Sequence, residues 1–442
     1  MSRLTRVAVV ARSVFPLHRV GGLERSVFDL VSYLAEAGLH VTLITQPPAE
    51  DRPEGQLDSR VTVLYVPYAT FPFAGRRWTT VLDRSTAYPL FGLRAGGLAG
   101  ELVDRNDVDI VNGFGASVLG YARRRARSRA PLVLNPQGLE EFGATDPSRA
   151  ALKRAMYLPL RAAVRACARA ADCVIATDRA LEPAVRQHLD VEAARVRTIP
   201  NALNLRWVDS IAAAGDGARV RAAAGIAGDE IVVLSASRIE ENKGFHVLAA
   251  ALKALQTQGG RISEGRWRWV IVGDGPYRSR LAQLVASAGL QPHVVFAGRT
   301  SDRDLHAWYE AADLFVHPTL YEGSSLVTLE AMAHRRAVVA TTAGGLPDKV
   351  RHGVSGWLVA PGDASALAAA VSGALADTQR LRAMGLEGRA IVEREFSWDA
   401  AGAATVRLYE ELVYNSARPR TERSEPGGVQ ATPRSVEEDG RP

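Results

Sequence analysis

Short apolar runs alternate with longer helical patterns along this chain, and the alternation begins twice. In the first part, the runs lie at 7–10, 41–44, 61–66, 110–111, 132–134, 174–176 and 196–199. In the second part, they lie at 231–234, 269–272, 294–296, 314–316 and 338–340. Strands that alternate with helices build parallel sheets covered by helices on both faces. The sequence therefore predicts an α/β protein with two Rossmann-like, doubly wound domains that face each other across a ligand-binding cleft.

The length of 442 residues exceeds what one ordinary hydrophobic core holds, so two domains and a tail are expected. The break falls near 200–210, where a proline and an asparagine open a polar stretch. We place the domains at 1–200 and 201–395, followed by an amphipathic helix at 396–415 that packs back toward the first domain. The segment 416–442 is rich in Arg, Glu, Pro, Gly and Ser, and is predicted to be disordered.

Composition indicates the cellular setting. The first residues lead straight into a strand pattern without a basic and apolar leader, and no apolar stretch reaches the length of a bilayer. The two cysteines, Cys167 and Cys173, match no metal-ligand spacing and fit a reducing compartment. We therefore expect a cytoplasmic protein.

A polar loop after the apolar run at 314–316 leads into a helix pattern. Glu322 and Glu330 stand eight positions apart across this junction, and either Ser324 or Ser325 can cap the helix. The backbone N–H groups and the positive end of the helix dipole then face the loop, which favours phosphate oxygens. Glu330 lies on or beside the apolar stripe of the helix, so its half-buried carboxylate needs a partner.

A second polar loop, at 237–244, also joins a strand pattern to a helix pattern. Arg238 offers a planar fork of donors and Lys243 a compact cation. Together they can clamp a diphosphate and offset the charge that grows on it as it departs. The alternative is a loop whose two cations pair with Glu240 and Glu241.

Glycines mark three further strand-to-helix turns. Gly21 and Gly22 follow the first strand pattern, Gly273 ends a later one, and Gly344 and Gly345 follow another. Glycine lets a backbone approach an anionic ligand or a sugar closely, and a helix N-terminus favours negative charge. At each turn, a purely structural role is the alternative.

Several classes of site are not indicated. Histidines, cysteines and carboxylates form no mixed metal-binding cluster. Two Asp-x-Asp pairs, Asp107/Asp109 and Asp302/Asp304, are the candidates for a divalent metal, but the first precedes a strand and the second starts a helix, so we expect no metal and no cofactor. No aromatic and basic reader motif points to nucleic acid. His246 and His317, which lie near the polar loops, are expected to be structural. Basic residues collect at 123–129 and 154–169, and they indicate either a cationic surface for an anionic acceptor or membrane, or solvated faces in an arginine-rich chain.

These motifs, taken in order, resemble the retaining GT-B glycosyltransferases of family 4. The residues that carry the resemblance are Arg238, Lys243, Gly273, Glu322 and Glu330. The similarity extends from the loop at 21–24 through 199–201 to the helix that begins at 396–398, and so covers nearly the whole chain. One such motif is weak, but the ordered set is specific.

The resemblance implies a GT-B fold and an enzyme that moves a sugar from a nucleotide-diphosphate sugar to a glycan, a lipid-linked acceptor or a small molecule. The nucleotide sugar would bind to domain 201–395 and the acceptor mainly to domain 1–200. In this family the anomeric configuration is retained, usually without a metal, and the departing phosphate oxygen serves as the base. A lipid-linked acceptor would bring the protein to the inner face of an anionic membrane.

The roles of individual residues also follow from the resemblance. Arg238 and Lys243 would hold the donor diphosphate and stabilise the leaving nucleotide, while Glu322 would lie beside the transferred sugar. Glu330 would accept from the ribose hydroxyls, which supplies its missing partner, and the nucleobase would lie near Gly298. The remaining donor-binding positions are Gly21, Gly22, Gly273, Arg299, Gly323, Ser324, Ser325 and Leu326.

The chain departs from the family pattern in places. Gln137 and Gly138 stand where a histidine and a glycine commonly contact the donor sugar, and we expect them to contact the sugar or the acceptor, although Gln137 cannot titrate. The other departures are His334 and Arg335 for a small residue and a glycine, Ser325 for a glycine, and Asn204 for an aspartate. The end of the helix that holds Glu330 must therefore be built differently.

Other functions stay open on the sequence alone. A GT-B epimerase or phosphorylase shares the fold, and a non-catalytic relative that binds nucleotide sugar or glycan shares the binding residues.

Overall fold

The computed structural model describes residues 4–18, 21–48, 57–69, 77–136, 139–143, 155–211 and 215–416. Its first sheet contains β1 (Arg6–Val10), β2 (His40–Thr45), β3 (Val61–Tyr65), β4 (Ile110–Phe114), β5 (Leu132–Asn135), β6 (Cys173–Ala176) and β7 (Val196–Thr198). Its second sheet contains β8 (Ile231–Ala236), β9 (Trp267–Val272), β10 (Val294–Gly298), β11 (Leu314–His317), β12 (Ala337–Thr341) and β13 (Gly356–Val359). The strand orders are β3-β2-β1-β4-β5-β6-β7 and β10-β9-β8-β11-β12-β13.

Helices connect the strands and cover both sheets. In the first half they are α1 (Gly22–Glu36), α2 (Arg77–Asp104), α3 (Leu119–Arg124), α4 (Leu158–Ala170) and α5 (Glu182–Leu189). After the first sheet come α6 (Leu205–Ile211), α7 (Asp216–Ala223), α8 (Phe245–Leu255), α9 (Arg278–Ser287), α10 (Asp302–Ala311), α11 (Leu326–Ala333) and α12 (Leu346–Lys349). The last helices are α13 (Ala364–Ala376), α14 (Thr378–Glu395) and α15 (Trp398–Ser416).

Both sheets are parallel and are buried on both faces. Val7 and Val9 of β1 join one apolar cluster, while Val10 joins another on the opposite face. In the second sheet, Val233 and Leu234 of β8 divide in the same way between two clusters. Strands buried on both faces carry continuous apolar runs, because neither face meets water. The predicted architecture of two doubly wound α/β units is therefore confirmed.

The end of the chain returns to the first sheet. The backbone N–H of Leu203 donates to the carbonyl of Phe396, and the N–H of Trp398 donates to the carbonyl of Leu203. The helix α15 then buries Leu408 and Tyr409 in an apolar cluster that also contains strands of the first sheet. The linker and α15 together hold the two sheets against each other.

No helix within the described ranges contains a segment long and apolar enough to cross a membrane.

Candidate functional site

Four loops meet at one edge of the second sheet. They follow β9, β8, β11 and β12, which are successive neighbours in the sheet, so their carboxyl ends lie side by side. These loops carry the glycine turn at 273, the cations predicted at 238 and 243, the polar stretch at 318–325, and the glycines at 344 and 345. The strand order therefore brings most of the predicted donor-binding positions to one place.

Glu322 lies at the centre of this edge and is bound from two sides. The Nζ atom of Lys243 lies 2.9 Å from Oε2 of Glu322, and Nε2 of His317 lies 2.8 Å from the same oxygen. Burial acts to raise the pKa of Glu322, but the hydrogen bond from His317 and the charge of Lys243 outweigh it, so the pKa lies well below its usual range. Glu322 is therefore an ionised acceptor, and the ring of His317 donates from Nε2.

The sequence predicts only a structural role for His317, whereas the structure places its ring against the carboxylate of Glu322. Its side chain is almost completely buried at the end of β11, five positions before Glu322. A histidine at the carboxyl end of a strand, just before a loop that contains one glutamate, is the signal available in the sequence.

Arg238 does not join this group. Its guanidinium lies 2.7 Å from the carboxylate of Glu240, and 76% of its side chain is exposed. Arg238 therefore pairs with a glutamate of its own loop, as the alternative interpretation of this loop predicts. Lys243 instead contacts Glu322 in the loop that follows β11. A solvent-exposed pair is weak and can reorient toward a ligand.

Two glycines allow the loops to approach one another. Gly273 has a φ of 128°, and a Cβ atom there would lie 2.0 Å from the carbonyl oxygen of Ser237. Gly344 has a φ of 54°, and a Cβ atom there would lie 1.9 Å from the carbonyl oxygen of Glu322. Any larger residue at either position would push a neighbouring loop away, so both glycines have a structural role.

The helix α11 begins as predicted. Ser325 is its N-cap residue, and its hydroxyl accepts from the backbone N–H of Thr328. The hydroxyl of Ser324 accepts from Nζ of Lys349 instead. Leu326 is the first residue of the helix, and the N–H of Gly323 donates to Oε1 of Glu322. The N-terminal end of α11 therefore faces the same loop as Lys243.

Glu330 finds a partner inside the protein. The hydroxyl of Tyr309 in α10 donates to Oε2 of Glu330 over 2.8 Å. Burial raises the pKa of the Glu330 carboxyl to about 7, and the hydrogen bond from Tyr309 opposes this increase. The residue keeps part of its surface accessible, so the carboxyl can still take a second donor.

The end of α11 contains two of the residues that depart from the family pattern, His334 and Arg335. His334 is buried, and its Nε2 atom lies 2.7 Å from Nδ1 of His306. Burial lowers the pKa of His334 to about 3, so the ring is neutral. Arg335 takes the left-handed backbone conformation, with a φ of 58°, at the position where the family has glycine.

The first domain contributes its glycine loop to the same region. Gly21 is the N-cap of α1, and a Cβ atom on Gly22 would lie 3.6 Å from Cδ1 of Leu326 in α11. In the first turn of α1, Arg25 reaches across to the carboxylate of Asp302 over 2.7 Å. The N-terminal ends of α1 and α11 therefore meet between the two sheets.

Other predicted positions lie apart from this group or outside the described residues. Arg299 is exposed beside Gly298, whose carbonyl accepts from the N–H of Gly273. Gln137 and Gly138 lie outside the described ranges, and so does 417–442. Among the described residues, no group of three or more His, Cys, Asp or Glu side chains is arranged to hold a metal ion.

The basic regions are partly neutralised by their own surroundings. Arg124 pairs with Asp104, and Arg125 pairs with Asp172. The guanidinium of Arg165 donates to a backbone carbonyl. These contacts favour a structural role for part of the arginine-rich surface.

Two family profiles match this chain. The family described as Glycosyltransferase Family 4 matches residues 20–207, and the family described as Glycosyl transferases group 1 matches residues 217–390. Together they follow the division into two sheets.

Curated relatives match over part of their length. A D-inositol 3-phosphate glycosyltransferase of Streptomyces scabiei is 34% identical over 260 residues, which cover 57% of this chain and 56% of that protein. A GDP-mannose-dependent alpha-(1-6)-phosphatidylinositol monomannoside mannosyltransferase of Mycolicibacterium smegmatis is 35% identical over 198 residues, which cover 43% of this chain and 50% of that protein. The chain thus spans about half the length of the curated relatives it matches.

Solved structures match over nearly the whole chain. Sucrose-phosphate synthase from Thermosynechococcus elongatus aligns with a TM-score of 0.72 at 24% identity, covering 93% of this chain and 99% of that one. Anabaena HepE in complex with UDP aligns with a TM-score of 0.69 at 22% identity, covering 92% and 100%. At these identities the likeness shows the fold, which is the predicted GT-B arrangement.

Proposed function

Because this chain belongs to the GT-B glycosyltransferases of family 4, we propose that it is a retaining glycosyltransferase that works without a metal or a cofactor. The donor is a nucleotide-diphosphate sugar, and the acceptor is a glycan, a lipid-linked saccharide or a small molecule. The observation that carries this proposal is the contact of Lys243 and His317 with Glu322 at the N-terminal end of α11.

Positive charge for the diphosphate comes from the protein. Lys243 is held near the loop by Glu322, and the N-terminal end of α11 adds backbone N–H donors and its dipole. Arg238 is exposed on the neighbouring loop and can turn from Glu240 to the phosphate oxygens. These groups stabilise the negative charge that develops on the leaving nucleoside diphosphate, which is how such fixed donors lower a barrier.

The transfer step involves no carboxylate base. The acceptor hydroxyl attacks the anomeric carbon on the face from which the phosphate departs, and the bond from that carbon to the phosphate oxygen breaks. The departing phosphate oxygen takes the hydroxyl proton. Glu322 has a pKa well below its usual range, despite the opposing effect of burial, because His317 and Lys243 stabilise the ionised form. It therefore orients sugar hydroxyls as an acceptor rather than moving a proton.

Glu330 anchors the nucleoside. Its carboxyl already accepts from Tyr309, and its accessible side can accept from the ribose hydroxyls. The acceptor binds mainly on the first domain, near the loop that carries Gly21 and Gly22. A cytoplasmic enzyme at the inner face of the membrane fits a lipid-linked acceptor, and a phosphatidylinositol monomannoside is named as the substrate of one relative.

The test is release of nucleoside diphosphate from UDP-glucose, GDP-mannose and ADP-glucose in the presence of cell-extract acceptors. We expect turnover with one donor class and loss of turnover in Lys243→Ala and Glu330→Ala. The anomeric proton coupling of the product, measured by NMR, should match that of the donor. Neither binding nor turnover with any donor would overturn the proposal, while tight binding without transfer would indicate a non-catalytic relative.

A further inference from the structure

A buried ion pair joins the two domains behind the loop that carries Glu322. The ammonium of Lys349, at the end of α12, contacts the carboxylate of Asp178, which follows β6 of the first sheet. Neither side chain exposes any surface to solvent. Beside this pair, the N–H of Ala180 donates to the carboxylate of Asp348 over 2.9 Å. The two domains therefore meet here through matched charges and through the backbone.

The same ammonium also contacts the loop. Its Nζ atom donates to the hydroxyl of Ser324 over 3.1 Å, two positions after Glu322. The N–H of Gly345 donates to the carbonyl of Gly323 over 3.0 Å. A Cβ atom on Gly345 would lie 2.3 to 2.7 Å from carboxyl atoms of Asp178, so the carboxylate is packed directly against this turn. Lys349 thus bridges the first domain and the donor loop, and the Ser324 side chain also hydrogen-bonds directly to Asp178.

Separation of the domains would change the charge beside this loop. A buried charge is tolerated only while it is paired, and removal of one partner leaves the other uncompensated. If the cleft opens at this point, Lys349 loses Asp178 while it still lies next to Ser324. The loop would then face an unpaired cation that can turn toward water and release the Ser324 hydroxyl.

We propose that Lys349 is a positioning residue that couples closure of the two domains to the shape of the donor loop. In the closed arrangement, Asp178 neutralises Lys349, and Lys349 holds Ser324 so that the backbone N–H groups at the start of α11 face the donor. Closure therefore favours nucleotide binding, and nucleotide binding must favour closure to the same degree. This inference rests on the proposed function.

The test separates folding stability from nucleotide affinity. Asp178→Asn and Lys349→Met each leave one buried charge unpaired, so each should lower the melting temperature. The double variant removes both charges and should recover much of that loss, as replacement of a whole buried pair often does. Its affinity for UDP or GDP should nevertheless remain about tenfold weaker than wild type, a typical size for coupling between sites.

Two further variants sharpen the result. Ser324→Ala removes the hydroxyl that Lys349 contacts and that also hydrogen-bonds to Asp178, so it should lower the melting temperature less than Asp178→Asn does, weaken nucleotide binding, and raise KM for the donor more than it lowers kcat. Asp313→Asn breaks an ion pair with Arg221 inside the second domain, and should leave nucleotide affinity unchanged. Recovery of both melting temperature and affinity in the double variant would show that the pair is only structural, and would overturn the inference.

Domain separation provides a readout that does not depend on the reaction. Small-angle X-ray scattering of the unliganded protein should show a larger radius of gyration for the double variant than for wild type. An unchanged radius would also overturn the inference. Failure of wild type to bind any nucleoside diphosphate would instead overturn the proposed function, so the two failures are distinguishable.

Discussion

The Nζ atom of Lys243 lies 2.9 Å from Oε2 of Glu322, so a cation assigned to the diphosphate and a carboxylate assigned to the sugar touch each other. The two residues are 79 positions apart in the chain. Their contact means that the carboxylate positions the cation before any donor arrives. A charge that is fixed in advance needs no reorganisation during the reaction.

Loss of this cation should slow the reaction strongly. We expect Lys243→Ala to lower kcat/KM by about 100- to 1,000-fold, the usual cost of removing one preorganised donor from a charged transition state. Lys253→Ala is the matched control, because Lys253 is exposed on the helix that follows the same loop. Rates of nucleoside diphosphate release report the effect. Equal rates in the two variants would contradict the assigned role.

His317 should matter for both stability and rate. In His317→Ala, Glu322 loses a buried hydrogen-bond donor, and the pKa of Glu322 should rise. Glu322 keeps its contacts with Lys243 and the N–H of Gly323, but a lost hydrogen bond to a charged group costs about 1.5–3 kcal/mol, so the midpoint of urea unfolding should decrease. His317→Gln offers an amide donor in place of the ring and should recover part of both losses. A variant His317→Ala with wild-type stability and activity would show that this hydrogen bond has no function.

Glu330 should make stability depend on pH. Its pKa is about 4.5 in the unfolded chain and about 7 in the folded protein, because burial raises it. Between these values the folded protein keeps a proton that the unfolded chain has lost, so this contribution to stability decreases as pH rises to about 7 and is constant above it. Glu330→Gln should therefore be more stable than wild type at pH 8, by about 1–3 kcal/mol. Urea unfolding at pH 5 and pH 8 measures this.

Asp29 provides the internal comparison, since burial also raises its pKa to about 7. It should preserve part of the pH dependence in Glu330→Gln. Equal stability differences between variant and wild type at pH 5 and pH 8 would contradict the assignment to Glu330.

Nucleotide binding should release protons near neutral pH. Ribose hydroxyls that donate to Glu330 favour its ionised form, so binding lowers a pKa that is about 7 in the free protein. Calorimetric titration with UDP or GDP at pH 7, in buffers of different ionisation enthalpy, should show release of a fraction of a proton. Glu330→Gln should reduce it to the part that comes from the terminal phosphate of the nucleotide, whose second pKa is about 6 and is lowered by the bound cations. An identical release in wild type and variant would place the ribose elsewhere.

A methyl group at Gly344 should disturb the donor loop. Its Cβ atom would lie 1.9 Å from the carbonyl oxygen of Glu322, so the loop must move and nucleotide affinity should fall at least about tenfold. Gly353→Ala is the control, because Gly353 also has a positive φ, of 78°, but has nothing within 4 Å of the added atom. The left-handed backbone conformation at an alanine lowers the folding stability of both variants by about 1–2 kcal/mol. Equal nucleotide affinity in the two variants would exclude the clash as a cause.

The sequence by itself determined the architecture and the local elements. Continuous apolar runs between helical patterns specify strands that are buried on both faces of a sheet. Successive side chains of a strand point to opposite faces, so this pattern can be recognised from the sequence alone. The capping of α11 by Ser325 was predictable for the same reason, since a cap bonds to a residue three positions away. The pair of Arg238 with Glu240 is also local, and it was among the alternatives that the sequence offered.

Only the tertiary structure decided which of these elements meet. Lys243 reaches Glu322 because β8 and β11 are neighbours in the second sheet, and Tyr309 reaches Glu330 because α10 lies beside α11. The contact of Lys349 with Asp178 joins residues 171 positions apart in different domains. Periodicity and capping specify each element separately, whereas strand order and domain contact are set by the packing of the whole core. The chemistry of this site depends on those long-range contacts.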